Sequence, residues 1–161
     1  MGPYGAYLAN GSEYNGRYDA SWADIRAFHR ARLEVLADTA PDLFAIETIP
    51  LSAEAEIIVE ELRALTDAPA WVTFSCADEV HTCGGDSFAD AAARVAMAVN
   101  AVGVNCSAPT NVAPLLRSAA VARASACMAT NSSRMRTCSA RIRRSMASAS
   151  AAAPCTASLA L

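Results

Sequence analysis

The sequence predicts an α/β fold built around a parallel sheet. Three short apolar runs have the length of strands: Leu43-Phe44-Ala45-Ile46, Ala70-Trp71-Val72-Thr73-Phe74 and Ala101-Val102-Gly103-Val104. None shows the polar alternation of a strand with one wet face, so each reads as a strand covered on both sides. Segments with helical periodicity separate them. The strand-to-strand spacing of roughly 25–30 residues is the rhythm of βαβ units.

The elements follow in order. Residues 1–20 are rich in Gly, Tyr and Asn and read as a loop, with turns at Asn10-Gly11 and Asn15-Gly16. Ser21, with Asp24 three residues on, is close to a capping box for a helix over 22–38. Ile25, Phe28, Leu33 and Leu36 lie along one broad face of that helix. Pro41-Asp42 break the pattern, and the first strand ends in a polar pair, Glu47-Thr48, ahead of Pro50. Ser52 is placed to cap a helix over 53–65, whose core side is Ile57, Ile58, Leu62 and Leu65. The second strand ends at Ser75-Cys76 and runs into a polar loop, DEVHTCGGD. A helix over 87–99 leads to the third strand, which ends at Asn105-Cys106. Pro109 opens a last helix that reaches about Arg117.

Past Arg117 the pattern fails. Residues 118–161 are dominated by Ala, Ser and Arg and hold one proline. They contain no strand-like run. A helix over 118–128 fits the composition, and the rest has too few large apolar residues to pack, so it is expected to be disordered or loosely helical.

Bulk properties bound the classes. The length of 161 residues suits one domain, and 53% hydrophobic against 18% charged residues is enough to bury a core. No apolar run approaches the roughly 18 residues of a transmembrane helix, so no membrane role is expected. The N-terminus has no basic stretch followed by an apolar one, and the expected location is the cytoplasm. The six cysteines form no CxxC pair, which in a cytosolic chain favours buried small hydrophobes over a disulfide framework. The net charge of −3 is uneven: every acid lies between Glu13 and Asp90, and residues 118–161 carry six arginines. Those arginines have no aromatic partners and no matching helical face, so no nucleic-acid partner is expected.

Glu47, Cys76 and Cys106 stand at the C-terminal ends of the strands, the functional edge of parallel α/β folds. From the residues alone, a cysteine there is either core filler or a ligand. Glu47 either caps the next helix, pairs with an arginine or binds a cationic group. Cys76 and Cys83 read as structural. His29, set among arginines on a helix, and His81, in the polar loop, read as solvated.

Four motifs in register narrow this: GPYGAYLANGSEY, IETIP, VTFSC and GVNCSAP. Over about residues 2–117 the chain resembles the homocysteine S-methyltransferase family, which includes betaine-homocysteine methyltransferase. The resemblance implies a (β/α)8 TIM barrel, of which residues 1–117 would supply three to four βα units as a partial homocysteine-binding domain. Residues 118–161 would then be an atypical tail. It also implies a zinc ion held by three cysteines. One is in the GVNC motif and matches Cys106; the other two are an adjacent pair in a GGCC motif. The glutamate of the ETIP-like motif, matching Glu47, holds the amino group of homocysteine. No catalytic side chain is assigned. The reaction implied is methyl transfer from a sulfonium donor, S-methylmethionine or S-adenosylmethionine, to the homocysteine thiol, giving methionine. Such a metal makes chemical sense: a free thiol is mostly protonated at neutral pH, and three thiolates leave zinc a fourth position that a substrate thiolate can fill.

The sequence departs from the family at both ends. It starts inside the GPYG motif, without the family's DGG motif, and it has no Cys-Cys pair. A lysine-free, Ala/Ser/Arg-rich tail after a well-matched stretch is what a shifted reading frame in GC-rich DNA produces. Three strands cannot close a barrel that needs eight, so two raw sheet edges are expected. The alternative expectation is therefore a catalytically inactive truncated or frameshifted fragment, or a binding module completed by a partner chain.

Overall fold

The computed structural model describes residues 1–130 and 157–160. The N-terminal segment, expected to be loop, folds into a short helix, α1 (Tyr4–Leu8), and a 3-10 turn over Ser12–Tyr14. Gly11 and Gly16 do sit in left-handed turns, at φ 83° and 66°. The chain then runs through α2 (Trp22–Asp38), β1 (Phe44–Ile49), α3 (Ser52–Leu65), β2 (Ala70–Phe74), α4 (Phe88–Val95), β3 (Ala101–Val104) and α5 (Pro109–Thr130). Strands β1, β2 and β3 are parallel and adjacent in that order.

Local chemistry sets the helix ends. Ser21 Oγ accepts from Asp24 N at 3.2 Å, and Asp24 Oδ2 accepts from Ser21 N at 3.3 Å, a complete capping box for α2. Ser52 does not cap α3. Leu51 holds the cap position without a side-chain bond, and Ser52 N donates instead to Asp86 Oδ2 at 2.7 Å, a carboxylate from the next loop. At the other end of α3, the Arg63 guanidinium donates to the carbonyls of Thr66, Ala68 and Ala98. It thus holds the α3 and α4 exits together. Helix α4 stops at Val95, short of position 99, and the chain turns before β3. Helix α5 passes Arg117, where the composition changes, and continues to Thr130.

The strand faces divide cleanly. Phe44, Ile46, Ala70, Val72, Phe74, Val102 and Val104 are all buried, and they join Ile58, Leu62, Phe88, Ala92 and Leu115 from the helices in one core. Because side chains alternate along a strand, the opposite face carries Ala45, Glu47, Trp71, Thr73, Ala101 and Gly103. These are small or polar apart from Trp71. The alternation is thus of size and polarity together, not of apolar against solvated.

Two further expectations are corrected. The edge beyond β3 is not raw: β4 (Ala157–Ala160) pairs with it antiparallel, Ala101 against Ala160 and Val104 against Ala157. Edge pairing uses backbone N–H and C=O groups and asks little of the side chains, so a run such as ASLA gives no strand signal. The expectation of a disordered or loosely helical tail otherwise falls on residues 131–156 and 161, outside the described residues. His29 is not solvated. It lies with Ile25 and Leu33 on the buried stripe of α2, fully enclosed, and Nε2 sits 2.8 Å from Oε1 of the equally buried Glu54. Glu54 also accepts from Tyr4 N at 2.5 Å and Tyr18 Oη at 2.8 Å. That one carboxylate ties the N-terminal segment to α2 and α3. Burial and the Glu54 charge both push the Tyr18 phenol upward, keeping its proton in place as donor.

Candidate functional site

The site is built where β1, β2 and β3 end side by side. Glu47 stands half-buried near the end of β1 on the polar face, and its Oε1 accepts from Trp71 Nε1 at 3.2 Å. Trp71 belongs to the neighbouring strand, in register with Ala45, so the indole fixes the carboxylate from one side. Met1 lies along the outer edge of β1: its ammonium donates to Ala45 O at 2.6 Å, and Glu47 N donates to Met1 O at 2.9 Å.

Immediately after Glu47 the β1–β2 ladder slips. Ile46 pairs with Val72 but Ile49 with Phe74, so three residues of β1 span two of β2. This is a bulge, the device that re-aims a side chain beside a site. Thr48 occupies it at φ 66°, a left-handed conformation that a β-branched residue rarely takes. Asn105, just past β3, clamps it: Thr48 N donates to Asn105 Oδ1 at 3.1 Å, and Asn105 Nδ2 donates to Thr48 Oγ1 at 2.9 Å. Cys106 follows at φ 47°, exposed, with its Sγ 3.7 Å from Thr48 Oγ1. The bulge and the two left-handed residues therefore bring the Glu47 and Cys106 segments together.

Cys76 lies in the same neighbourhood but differently held. It is buried, its N–H donates to Ser107 Oγ at 2.8 Å, and Ser107 Oγ donates in turn to Asn105 O at 2.8 Å. Burial first, and then the nearby Cys83, push the Cys76 thiol up to about 12, against a hydrogen bond from Ser107. The rim around these residues is interlocked. Gly84 N donates to Pro50 O at 3.0 Å. A Cβ on Gly84 would collide with Leu51 Cδ2, and one on Gly16 would lie 2.8 Å from Leu51 Cγ. Loops from the N-terminal segment, from β1 and from β2 thus converge on Leu51. His81 sits exposed on the outer part of the β2 loop, its Nδ1 3.0 Å from Asp78 Oδ2.

Sequence reasoning placed Glu47 and Cys106 at this edge but passed over Thr48, Asn105, Trp71 and Ser107. Thr48 and Asn105 were in view, next to the two singled-out residues, and only the backbone geometry gives them a task. The described residues do not complete a metal centre. A structural or catalytic zinc site takes three or four protein donors, and among the described residues no three His, Cys, Asp or Glu side chains group together. Cys106 offers one thiol. The side chain of Cys127 on α5, with Cys138 and Cys155, lies outside the described residues. Nor is any helix of the described residues long and apolar enough to cross a membrane.

Strand-end residues on consecutive parallel βα units define a partial α/β barrel of the TIM type. A family model for homocysteine S-methyltransferase matches residues 1–153, and the chain belongs to that family. It is 44% identical over 123 residues to homocysteine S-methyltransferase 3 of Zea mays, covering 73% of this chain and 36% of that protein. It is 44% identical over 119 residues to homocysteine S-methyltransferase of Escherichia coli, covering 73% and 38%. The crystal structure of the metallated homocysteine methyltransferase MmuM from Escherichia coli superposes with a TM-score of 0.70 at 41% identity, covering 77% of this chain and 44% of that one. The chain thus spans well under half the length of these relatives.

Proposed function

We propose that this chain carries the homocysteine-holding arc of a cytoplasmic homocysteine S-methyltransferase. The carrying observation is that the segments bearing Glu47 and Cys106 are joined at one strand-end edge by the bonds between Thr48 and Asn105. In this reading, Glu47 accepts the ammonium of homocysteine, with Trp71 holding the carboxylate in place. Fixing the ammonium fixes the direction of the thiol, a proximity effect. The thiolate sulfur then forms a bond to the methyl carbon while the donor's carbon–sulfur bond breaks. The donor, S-methylmethionine or S-adenosylmethionine, leaves as a neutral thioether, and the product is methionine. Cys106 is read as one thiolate of a zinc site. The described residues do not complete such a site, and no step is derived through the metal.

The same single thiolate supports a second reading, in which this chain alone is inactive, either as a fragment or as a module completed by a partner. Calorimetry on the full chain tests both. Homocysteine is expected to bind, and Glu47→Gln to weaken it by about tenfold or more, the scale of a lost charge-assisted bond. Binding unchanged in Glu47→Gln would remove Glu47 from the site. Titrated with zinc, the chain is expected to hold less than one equivalent at micromolar concentrations; one tightly held equivalent would overturn the incomplete-site reading.

A further inference from the structure

We propose that Thr48 and Asn105 are positioning residues for the Cys106 sulfur: the Asn105 amide orients the Thr48 hydroxyl, and that hydroxyl donates its proton to Sγ. The direction of each bond follows from the one before. Thr48 N–H has only a proton to give, so the Asn105 atom 3.1 Å from it is the oxygen. The other end of the amide is therefore NH2, and it donates to Thr48 Oγ1 at 2.9 Å. With that oxygen accepting, its own proton is free to turn to Cys106 Sγ, 3.7 Å away. Once the sulfur is a thiolate it has no proton to offer, and Thr48 is the donor.

Backbone strain points the same way. Thr48 and Cys106 both sit at positive φ, 66° and 47°, without being glycine. Such a conformation is unfavourable for a residue with a Cβ and persists where its surroundings over-determine it. Here the surroundings are one another: the ladder slip places Thr48, and Asn105 holds it by both main chain and side chain. A threonine kept in this strained place, with its hydroxyl aimed at a sulfur, has a role that an aliphatic residue of equal size cannot fill. The inference rests on the reading that Cys106 works through its sulfur. It does not need homocysteine or a metal.

The test uses the full chain, iodoacetamide as a neutral probe, and mass spectrometry of the Cys106 peptide. The quantity read is the plateau alkylation rate at high pH, where the thiol is fully ionised and its titration drops out. A hydrogen bond to a thiolate holds back its lone pair. Thr48→Val is therefore expected to raise the Cys106 plateau rate by about threefold to tenfold. Thr48→Ser, which keeps the hydroxyl, is expected to stay within about twofold of the parent, while Cys76 is unchanged in both. A Thr48→Val rate equal to the parent's overturns the proposal. So does a Thr48→Ser rate as high as that of Thr48→Val, or a rise shared by Cys76, which reports general loosening. Since no substrate is present, this outcome is independent of whether homocysteine binds.

Discussion

Cys76 and Cys106 occupy equivalent places. Each stands two residues beyond the last paired residue of its strand, Phe74 on β2 and Val104 on β3. Yet one is buried at 4% exposure and the other is open to solvent. The difference lies in the backbone. Cys76 pairs with Thr82 in a short antiparallel bridge that folds the β2 loop back over it. Cys106 takes a left-handed turn that throws its side chain out toward Thr48. Residue type and position along a strand thus leave the fate of a cysteine open, and the loop that follows decides it.

The largest effect this comparison implies is in reactivity. At about pH 8, alkylation of Cys106 should outpace that of Cys76 by on the order of 10³, because reaction needs an exposed thiolate. In denaturant the two rates should converge to within about threefold. A ratio below about ten in the folded chain would mean that the two sites are not distinct.

A smaller effect appears in alkaline stability. The Cys76 thiol, pushed up to about 12 when folded, has an ordinary value near 8.5 when unfolded. Its folded pKa is the higher one, so the folded state favours the protonated form. That contribution is complete below the unfolded value and is lost as pH rises toward 12. It amounts to a few kcal/mol, at about 1.4 kcal/mol per unit. The parent's denaturation midpoint should therefore fall more steeply between about pH 8.5 and pH 11 than that of Cys76→Ala. Parallel slopes would show that the thiol is not the group responsible.

The smallest effect comes from Ser107, the hydroxyl that accepts from Cys76 N and donates to Asn105 O. Ser107→Ala should cost about 1 kcal/mol in chemical denaturation. It should push the Cys76 thiol further up and so slow its alkylation several-fold at about pH 8, leaving Cys106 within about twofold. Equal acceleration of both cysteines would locate Ser107 in general stability and not in the Cys76 pocket.

What the sequence made legible was local. The α2 and β2 boundaries, the Ser21 capping box and the placement of Glu47 and Cys106 at strand ends all come from periodicity, caps and chain order. What it hid was long-range. His29 lies four residues from both Ile25 and Leu33, so its place on the buried stripe was visible. Its partner Glu54 is 25 residues away and becomes evident only once α2 packs on α3. Ser52 had the chemistry of a cap, but Asp86 reaches its N–H from another loop. The β1 bulge has no sequence signal, because the residue in it is a threonine where a glycine would have announced it. The family's reach also went further than composition indicated: its match runs to position 153, although the residues after 117 read as atypical.

Gly84 carries a consequence for how such a rim changes over evolutionary time. With no room for a Cβ between it and Leu51, the first two strand-end loops mesh like adjacent teeth. An insertion in one displaces the other, and the Asp86–Ser52 bond couples them a second time. Grafting a single loop from a relative should therefore fail where grafting both together succeeds. The unit of inheritance at this edge is the pair.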